Sequence, residues 1–108
     1  EIRVSVIDRH ALSLTFRSSR EKDVDRYELL RGTRADGSDL KTIAVVKAEP
    51  FYLQFHRDTG LEADTTYCYS VFPIDSAGNK AGSSPLASRK TPAGDWWLVR
   101  SYADQCNR

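Results

Sequence analysis

Residues 61–71 read Leu-Glu-Ala-Asp-Thr-Thr-Tyr-Cys-Tyr-Ser-Val, and their pattern is the strongest indication of how the chain folds. This stretch leads into the longest strand of the chain, which we predict over residues 65–74. Tyr67, Tyr69 and Val71 alternate there with other side chains, and successive side chains of a strand point to opposite faces. We therefore predict that these three residues face a core. The side chains predicted to face outward, away from the core, are Cys68, Ser70 and Phe72.

The same period of two recurs along the rest of the chain, and no segment of useful length has helical periodicity. Turn residues that tolerate positive φ, such as Gly37, Gly78 and Asn79, separate the patterned segments. The predicted strands cover residues 2–6, 12–16, 27–30, 40–46, 51–55, 65–74 and 84–91. Short strands with this spacing predict an all-β, seven-stranded antiparallel sandwich.

Size and charge restrict the class of protein. The chain has 108 residues, of which 40% are hydrophobic and 29% charged, as in a single globular domain. A formal net charge of +1 lacks the basic excess of a duplex-binding domain, so we expect no nucleic-acid partner. No stretch approaches the roughly 20 apolar residues that cross a bilayer, so we expect no membrane partner. Because the chain begins with Glu1 and has no Met, we interpret it as a mature or excised piece.

The segment around Tyr67 resembles the signature of fibronectin type III domains, in which Leu, a small residue, Thr and Tyr lead into the sixth strand. Residues 57–61 (Arg-Asp-Thr-Gly-Leu) and 75–79 (Asp-Ser-Ala-Gly-Asn) resemble the turns that flank this strand in bacterial members. Residues 27–31 (Tyr-Glu-Leu-Leu-Arg) resemble their third strand. The resemblance implies an immunoglobulin-like sandwich and a tyrosine corner, in which the Tyr67 ring is buried and its hydroxyl bonds a nearby backbone group.

The resemblance covers about residues 2–92. It divides the chain into a fibronectin type III domain, residues 1–92, and a C-terminal tail or linker, residues 93–108, which either leads onward or folds back on the sandwich. One core position departs from the family, which has Trp where this chain has Phe16. Because Phe is smaller, neighbouring rings must fill the volume. The candidates are Phe51, Phe55 and Tyr69.

Catalytic motifs are absent: there is no G-x-S-x-G, no Gly-rich phosphate loop, no H-E-x-x-H and no C-x-x-C. His10 and His56 stand beside predicted turns without a visible third ligand. We interpret them as turn residues, with Asp58 capping the backbone, and the acids Glu21, Asp23 and Asp25 as a solvated turn. We therefore expect no enzymatic activity, no cofactor and no metal site.

The two cysteines, Cys68 and Cys106, permit one bridge in a sandwich of extracellular type. We hypothesise a disulfide between them that pins the tail across the outward face. The tail would then cover Leu30 and Phe72 with side chains that include Trp96 and Trp97. The alternative is two unrelated thiols.

Two features suggest a binding surface. Arginines are frequent between residues 17 and 34, and the guanidinium fork suits sulfate and phosphate, although interleaved acids oppose such a role. These arginines are Arg17, Arg20, Arg26, Arg31 and Arg34. Trp96 and Trp97 could stack on sugar rings, but we favour packing on the sandwich or on a neighbouring domain, because adjacent residues of an extended segment point to opposite sides.

The resemblance implies a non-catalytic spacer or protein-interaction module of a larger secreted or cell-surface protein, with attachment to a carbohydrate-active enzyme as one context. Expected partners are neighbouring domains of the same polypeptide or another protein, with polysaccharide as a further candidate. Alternatives are a carbohydrate- or anion-binding module and a receptor or adhesion ectodomain. The expected contact residues are Leu30, Phe72, Trp96, Trp97, Arg26 and Arg31.

Overall fold

Seven strands make up the regular structure of the chain. A computed structural model describes residues 2–20 and 23–94. The strands are β1 (Ile2–Asp8), β2 (Ala11–Arg17), β3 (Val24–Gly32), β4 (Lys41–Lys47), β5 (Leu53–Asp58), β6 (Thr66–Asp75) and β7 (Ala87–Lys90).

The strands form two antiparallel sheets. One is three-stranded in the order β1-β2-β5, and the other is four-stranded in the order β4-β3-β6-β7. All neighbouring strands pair antiparallel. This arrangement confirms the predicted seven-stranded, immunoglobulin-like sandwich.

The core lies between the sheets and follows the predicted period of two. Tyr67, Tyr69 and Val71 are buried in it, as their alternation in the sequence predicts. Its other buried members are Ile2, Leu12, Leu14, Phe16, Tyr27, Leu29 and Leu61. The alternate residues of β1, β2, β3 and β6 therefore meet at one apolar layer.

The outward face of β6 is buried at Cys68 and Ser70. Cys68 and Ser70 lie outside the core cluster yet are only 2% and 3% exposed. Cys68 pairs with Gly32 of β3, and the Asp39 carboxylate sits where a side chain on Gly32 would otherwise stand. On the other side, the Ser70 hydroxyl donates a hydrogen bond to the Ser84 carbonyl at 3.1 Å. The predicted outward direction of Cys68 is thus confirmed.

β5 turns its polar side chains inward, which reverses the expected pattern. Gln54 is 3% exposed, whereas Phe51 and Phe55 are 63% and 67% exposed. Gln54 accepts a hydrogen bond from the Glu49 N–H and donates one to the Ser18 hydroxyl, so its burial leaves its polar atoms paired.

The position taken by Trp in the family is therefore filled in another way. The rings of Phe16 and Tyr27 meet edge to face, with centroids 5.1 Å apart, and Tyr69 is fully buried in the same core. The prediction that Phe51 or Phe55 refills the core is wrong, because both rings point to solvent.

Candidate functional site

Tyr67 ties the connection between β5 and β6 to the core. Its ring is 7% exposed, and its hydroxyl accepts a hydrogen bond from the Glu62 N–H at 2.9 Å. The Thr91 hydroxyl donates to the Glu62 carbonyl at 2.7 Å and accepts from the Thr65 N–H at 3.0 Å. These polar groups bind backbone atoms, so their role is to hold the connection rather than to receive a ligand.

An ion pair joins the two sheets in the interior. Arg31 of β3 donates to one carboxylate oxygen of Asp58 in β5 at 2.7 Å. The Tyr69 hydroxyl of β6 donates to the other oxygen at 2.6 Å. Burial, together with this hydrogen bond to a carboxylate, raises the pKa of Tyr69, so the phenol remains a neutral donor. The interpretation of Asp58 as a backbone cap is wrong, since both of its oxygens bind side chains of the opposite sheet.

The arginines between residues 17 and 34 do not form one patch. Arg17 lies on the outward face of β2, with its guanidinium 5.3 Å from the centroid of the Tyr52 ring. Arg31 points between the sheets, and Arg26 pairs with Asp25 at 2.9 Å. Arg20 and Arg34 are exposed in separate connections. A common anion site built from this cluster therefore finds no support in the geometry.

Leu30 and Phe72 lie half-buried on the outward face of the four-stranded sheet. Lys80 lies over the Phe72 ring, 5.4 Å from its centroid, and its ammonium is 2.6 Å from a Glu28 oxygen. The hydrogen bond from Lys80 lowers the pKa of Glu28. The charges at this surface are thus satisfied within the sandwich.

The tail residues Trp96, Trp97 and Cys106 lie outside the described residues. The Cys68–Cys106 disulfide, the packing of the tail and its boundary at residue 93 therefore remain predictions.

The histidines and acids form no recognisable reactive centre. The described residues include no group of three or more His, Cys, Asp or Glu that could hold a metal ion. His10 Nδ1 lies 2.8 Å from the Leu61 carbonyl oxygen, and the His10 N–H donates to Asp8 at 2.7 Å. The Asp8 contact closes the turn between β1 and β2, and the Leu61 contact ties that turn to the connection between β5 and β6. Residues 2–20 and 23–94 contain no helix that could cross a membrane.

Sequence reasoning missed the outward face of the three-stranded sheet. Arg3, Arg17 and Arg57 are all exposed there, beside the exposed rings of Tyr52 and Phe55. These residues come from three separate strands and the segment before β5, so no local pattern joins them. The one signal in the sequence is the alternation of Phe55 and Arg57 with polar residues. The hydrogen-bonding partners that hold those polar residues inside are visible only in the fold.

Comparisons with known proteins bear on the fold. No family model matches the chain, and no curated protein matches it either. Among solved structures, the sixth fibronectin type III domain of human fibronectin type III domain containing protein 3 matches with a TM-score of 0.66 and 19% identity. That match covers 84% of this chain and 80% of the other. The fibronectin type III domain of human contactin 1 matches with a TM-score of 0.66 and 21% identity, over 85% and 74% of the two chains.

A longer protein contains the same architecture. Pectate lyase PelI from Erwinia chrysanthemi, solved with tetragalacturonic acid, matches with a TM-score of 0.67 and 23% identity. The match covers 81% of this chain and only 27% of the lyase. The strand order, the buried corner tyrosine and these matches agree, and the chain therefore has the fibronectin type III fold.

Proposed function

We propose that this chain is a non-catalytic spacer or protein-interaction module of a larger secreted or cell-surface protein. The observation that carries the proposal is the path of the chain through the sandwich. Ile2 pairs with Phe16 at one end of β2. At the other end, the Leu61 N–H donates to the His10 carbonyl and the Asp64 N–H donates to the Pro92 carbonyl. Ile2 and Pro92 therefore lie at opposite ends, separated by a strand length of about 20 Å.

Opposite ends suit a spacer, because units joined before Ile2 and after Pro92 would be held apart by rigid β-structure. The cross-sheet pair of Arg31 and Asp58 adds rigidity between the two layers. Within the described residues, the acids with depressed pKa values, Glu28, Asp36, Asp39 and Asp75, bind nearby groups of the same chain. This use of charged side chains supports a structural role rather than bond chemistry.

The matched proteins support a module within a longer polypeptide. The matched region of pectate lyase PelI is a minor part of that chain, and the human match is one numbered domain of a longer protein. Attachment to a carbohydrate-active enzyme is one such context for this chain. A receptor or adhesion ectodomain is the alternative context, and the secreted or surface location rests on the same resemblance.

Energy transfer between fused fluorescent proteins tests the spacer role. The full chain is placed between a donor and an acceptor, and the donor lifetime distribution is compared with that of a Gly-Ser linker of equal length. We expect a narrow distribution for the folded chain and a broad one for the flexible linker. A distribution in buffer as broad as that of the Gly-Ser linker would overturn the proposal.

A further inference from the structure

The outward face of the three-stranded sheet carries three arginines, and the strand register also places one acid on it, Asp8, which pairs with Ala11 next to the turn between β1 and β2. In the register of the strands, Arg3 pairs with Thr15, and Thr15 pairs with Phe55. The next row contains Ser5, Ser13 and Arg57. The paired outward residues are Arg3, Ser5, Asp8, Ala11, Ser13, Thr15, Arg17, Leu53, Phe55 and Arg57. Although the chain as a whole is nearly neutral, the fold gathers three positive charges on this face.

The three arginines keep their charges available. Among the residues that the structure describes, no carboxylate lies within salt-bridge distance of Arg3, Arg17 or Arg57. Arg17 contacts the face of the Tyr52 ring, with its guanidinium carbon 5.3 Å from the ring centroid. By contrast, Arg26 and Arg31 both have carboxylate partners. The face therefore offers unneutralised guanidinium groups, which bind oxyanions through paired N–H donors.

Exposed rings lie among these charges. Tyr52 and Phe55 are 66% and 67% exposed, and Leu53 beside them is 36% exposed. A cleft of about 680 Å³ at the edge of this face is lined by Arg3, Arg17, Tyr52 and Leu53 together with inward residues of β1 and β2 and with Ala87 and Ser88 of β7, and it does not extend to Phe55 or Arg57. Grouped apolar exposure of this kind marks interaction sites. Flat aromatic surfaces pack well against the C–H faces of sugar rings, whereas guanidinium groups beside them require an anion.

We propose that this face binds a polysaccharide of uronate sugars, with Arg3, Arg17 and Arg57 on its carboxylates and Tyr52 and Phe55 against its rings. A uronate carries one carboxylate, which suits the guanidinium groups. It keeps its C–H face free for stacking, which suits the exposed aromatic rings. Strand geometry separates the Cα atoms of the three arginines by about 8 to 14 Å. A ligand that reaches all three must therefore be several sugars long.

Other occupants fit less well. A second copy of the chain would place arginines against arginines, which is repulsive. A neutral glycan would leave the guanidinium groups unused. Nucleic acids usually require a larger basic surface than three arginines in a nearly neutral chain. The binding proposal does not rest on the spacer role, so either can fail alone.

Calorimetric titration of the full chain with polygalacturonate tests the proposal, and fully methyl-esterified polygalacturonate is the neutral comparison on the same backbone. We expect binding of the free acid that weakens roughly tenfold between 50 and 200 mM NaCl, and no binding of the ester. Equal binding of the ester would overturn the role of the arginines. Equal or tighter binding of dextran sulfate, polyglutamate or a single-stranded oligonucleotide would overturn the assignment to uronates.

Surface variants locate the site. We expect Arg3→Ser/Arg57→Ser to weaken binding by about tenfold or more, and Phe55→Thr by about fivefold. The matched control is Lys41→Ser/Lys47→Ser, which removes two exposed charges from β4 of the other sheet and should stay within about twofold. Thermal melting of each variant verifies its fold. Equal losses in the control, or unchanged binding in the folded double arginine variant, would overturn the proposed face.

Discussion

At the residue scale, Asp58 is a charged residue that the sequence places at a turn and that the fold buries in an ion pair between the two sheets. Its side chain is 7% exposed, and that of Arg31 is 30% exposed. A buried carboxylate is tolerated only when its oxygens are paired, and here Arg31 and Tyr69 provide both partners. Removing the charge would leave Arg31 partly buried without its counterion.

We therefore expect Asp58→Asn to lower the free energy of unfolding by about 2 kcal/mol at pH 7, measured by urea denaturation. The value lies below that of a fully buried pair because Arg31 keeps some contact with water. Asp25→Asn is the matched control, since it breaks the exposed pair with Arg26 and should cost less than about 1 kcal/mol. Equal losses in the two variants would contradict an interior role for Asp58.

Asp39 predicts a response to acid. Hydrogen bonds from the Thr33 N–H, the Thr33 hydroxyl and the Arg34 N–H lower the pKa of Asp39 from 3.8 to about 2. Because the folded pKa is depressed, this carboxylate stabilises the fold above about pH 4 and loses that contribution as the pH falls towards 2.

We expect Asp39→Asn to melt at a lower temperature than the wild type at pH 5, and to show a smaller further decrease between pH 4 and pH 2. Differential scanning calorimetry at several pH values measures both effects. Glu49→Gln is the control, because the Glu49 carboxylate accepts no hydrogen bond from the described residues and this variant should keep the wild-type slope. An unchanged slope for Asp39→Asn would refute the prediction.

At the element scale, hydrogen-bonding partners determine which side of β5 faces inward and where β7 begins. The alternation of apolar residues does not. β5 buries Gln54 and Asp58 because each finds hydrogen bonds inside, and its apolar residues are left on the outside. β7 begins at Ala87, later than the pattern predicts. The Ser84 hydroxyl accepts a hydrogen bond from the Val71 N–H, and this contact occurs where the seventh strand was expected to begin.

The turn between β3 and β4 also depends on a contact with a distant segment of the chain. Gly37 has a φ of +76°, and a side chain there would press on Leu86, which precedes β7. The turn therefore packs closely against the segment before β7, and the two together flank the outward side of Cys68 and Ser70.

The reversed face of β5 predicts opposite effects for two phenylalanines. Phe55→Thr should change the free energy of unfolding by no more than about 0.5 kcal/mol, because the ring is 67% exposed. Phe16→Ala should cost about 3 to 5 kcal/mol, since that ring is buried against Tyr27. Urea denaturation of both variants compares them directly. A loss of several kcal/mol in Phe55→Thr would mean that this ring is part of a core.

At the scale of the whole molecule, the question is how the tail relates to the sandwich. Burial, and after it the nearby Asp39 and Asp36 carboxylates, raise the pKa of the Cys68 thiol, so a free thiol here would react slowly in the native state. Any count of thiols must therefore be made after unfolding.

We predict a Cys68–Cys106 disulfide in the oxidised chain, which would close a loop of 38 positions and stabilise the fold by about 3 to 4 kcal/mol. Thiol titration in denaturant without reductant should find no free thiol. Cys106→Ser calibrates the assay, because it should expose one thiol. Two titratable thiols in the wild-type chain would exclude the bridge and, with it, the pinned tail.

The sequence by itself determined the class of fold, the seven strands and the inward direction of Tyr67, Tyr69 and Val71. It could do so because a period of two with turn residues between segments is a local signal that each strand carries alone. The corner tyrosine and its strand were readable for the same reason.

Only the tertiary structure decided which polar residues are inside and which charges share a surface. Asp58 is buried because Arg31 and Tyr69 of the opposite sheet supply its hydrogen bonds. Gln54 is buried because the Ser18 hydroxyl adds to its local bonds with Glu49 and Phe51. Phe55 is exposed as a consequence. Arg3 and Arg57 share a face because β1 and β5 both pair with β2. Such contacts join residues tens of positions apart, and local alternation carries no information about them.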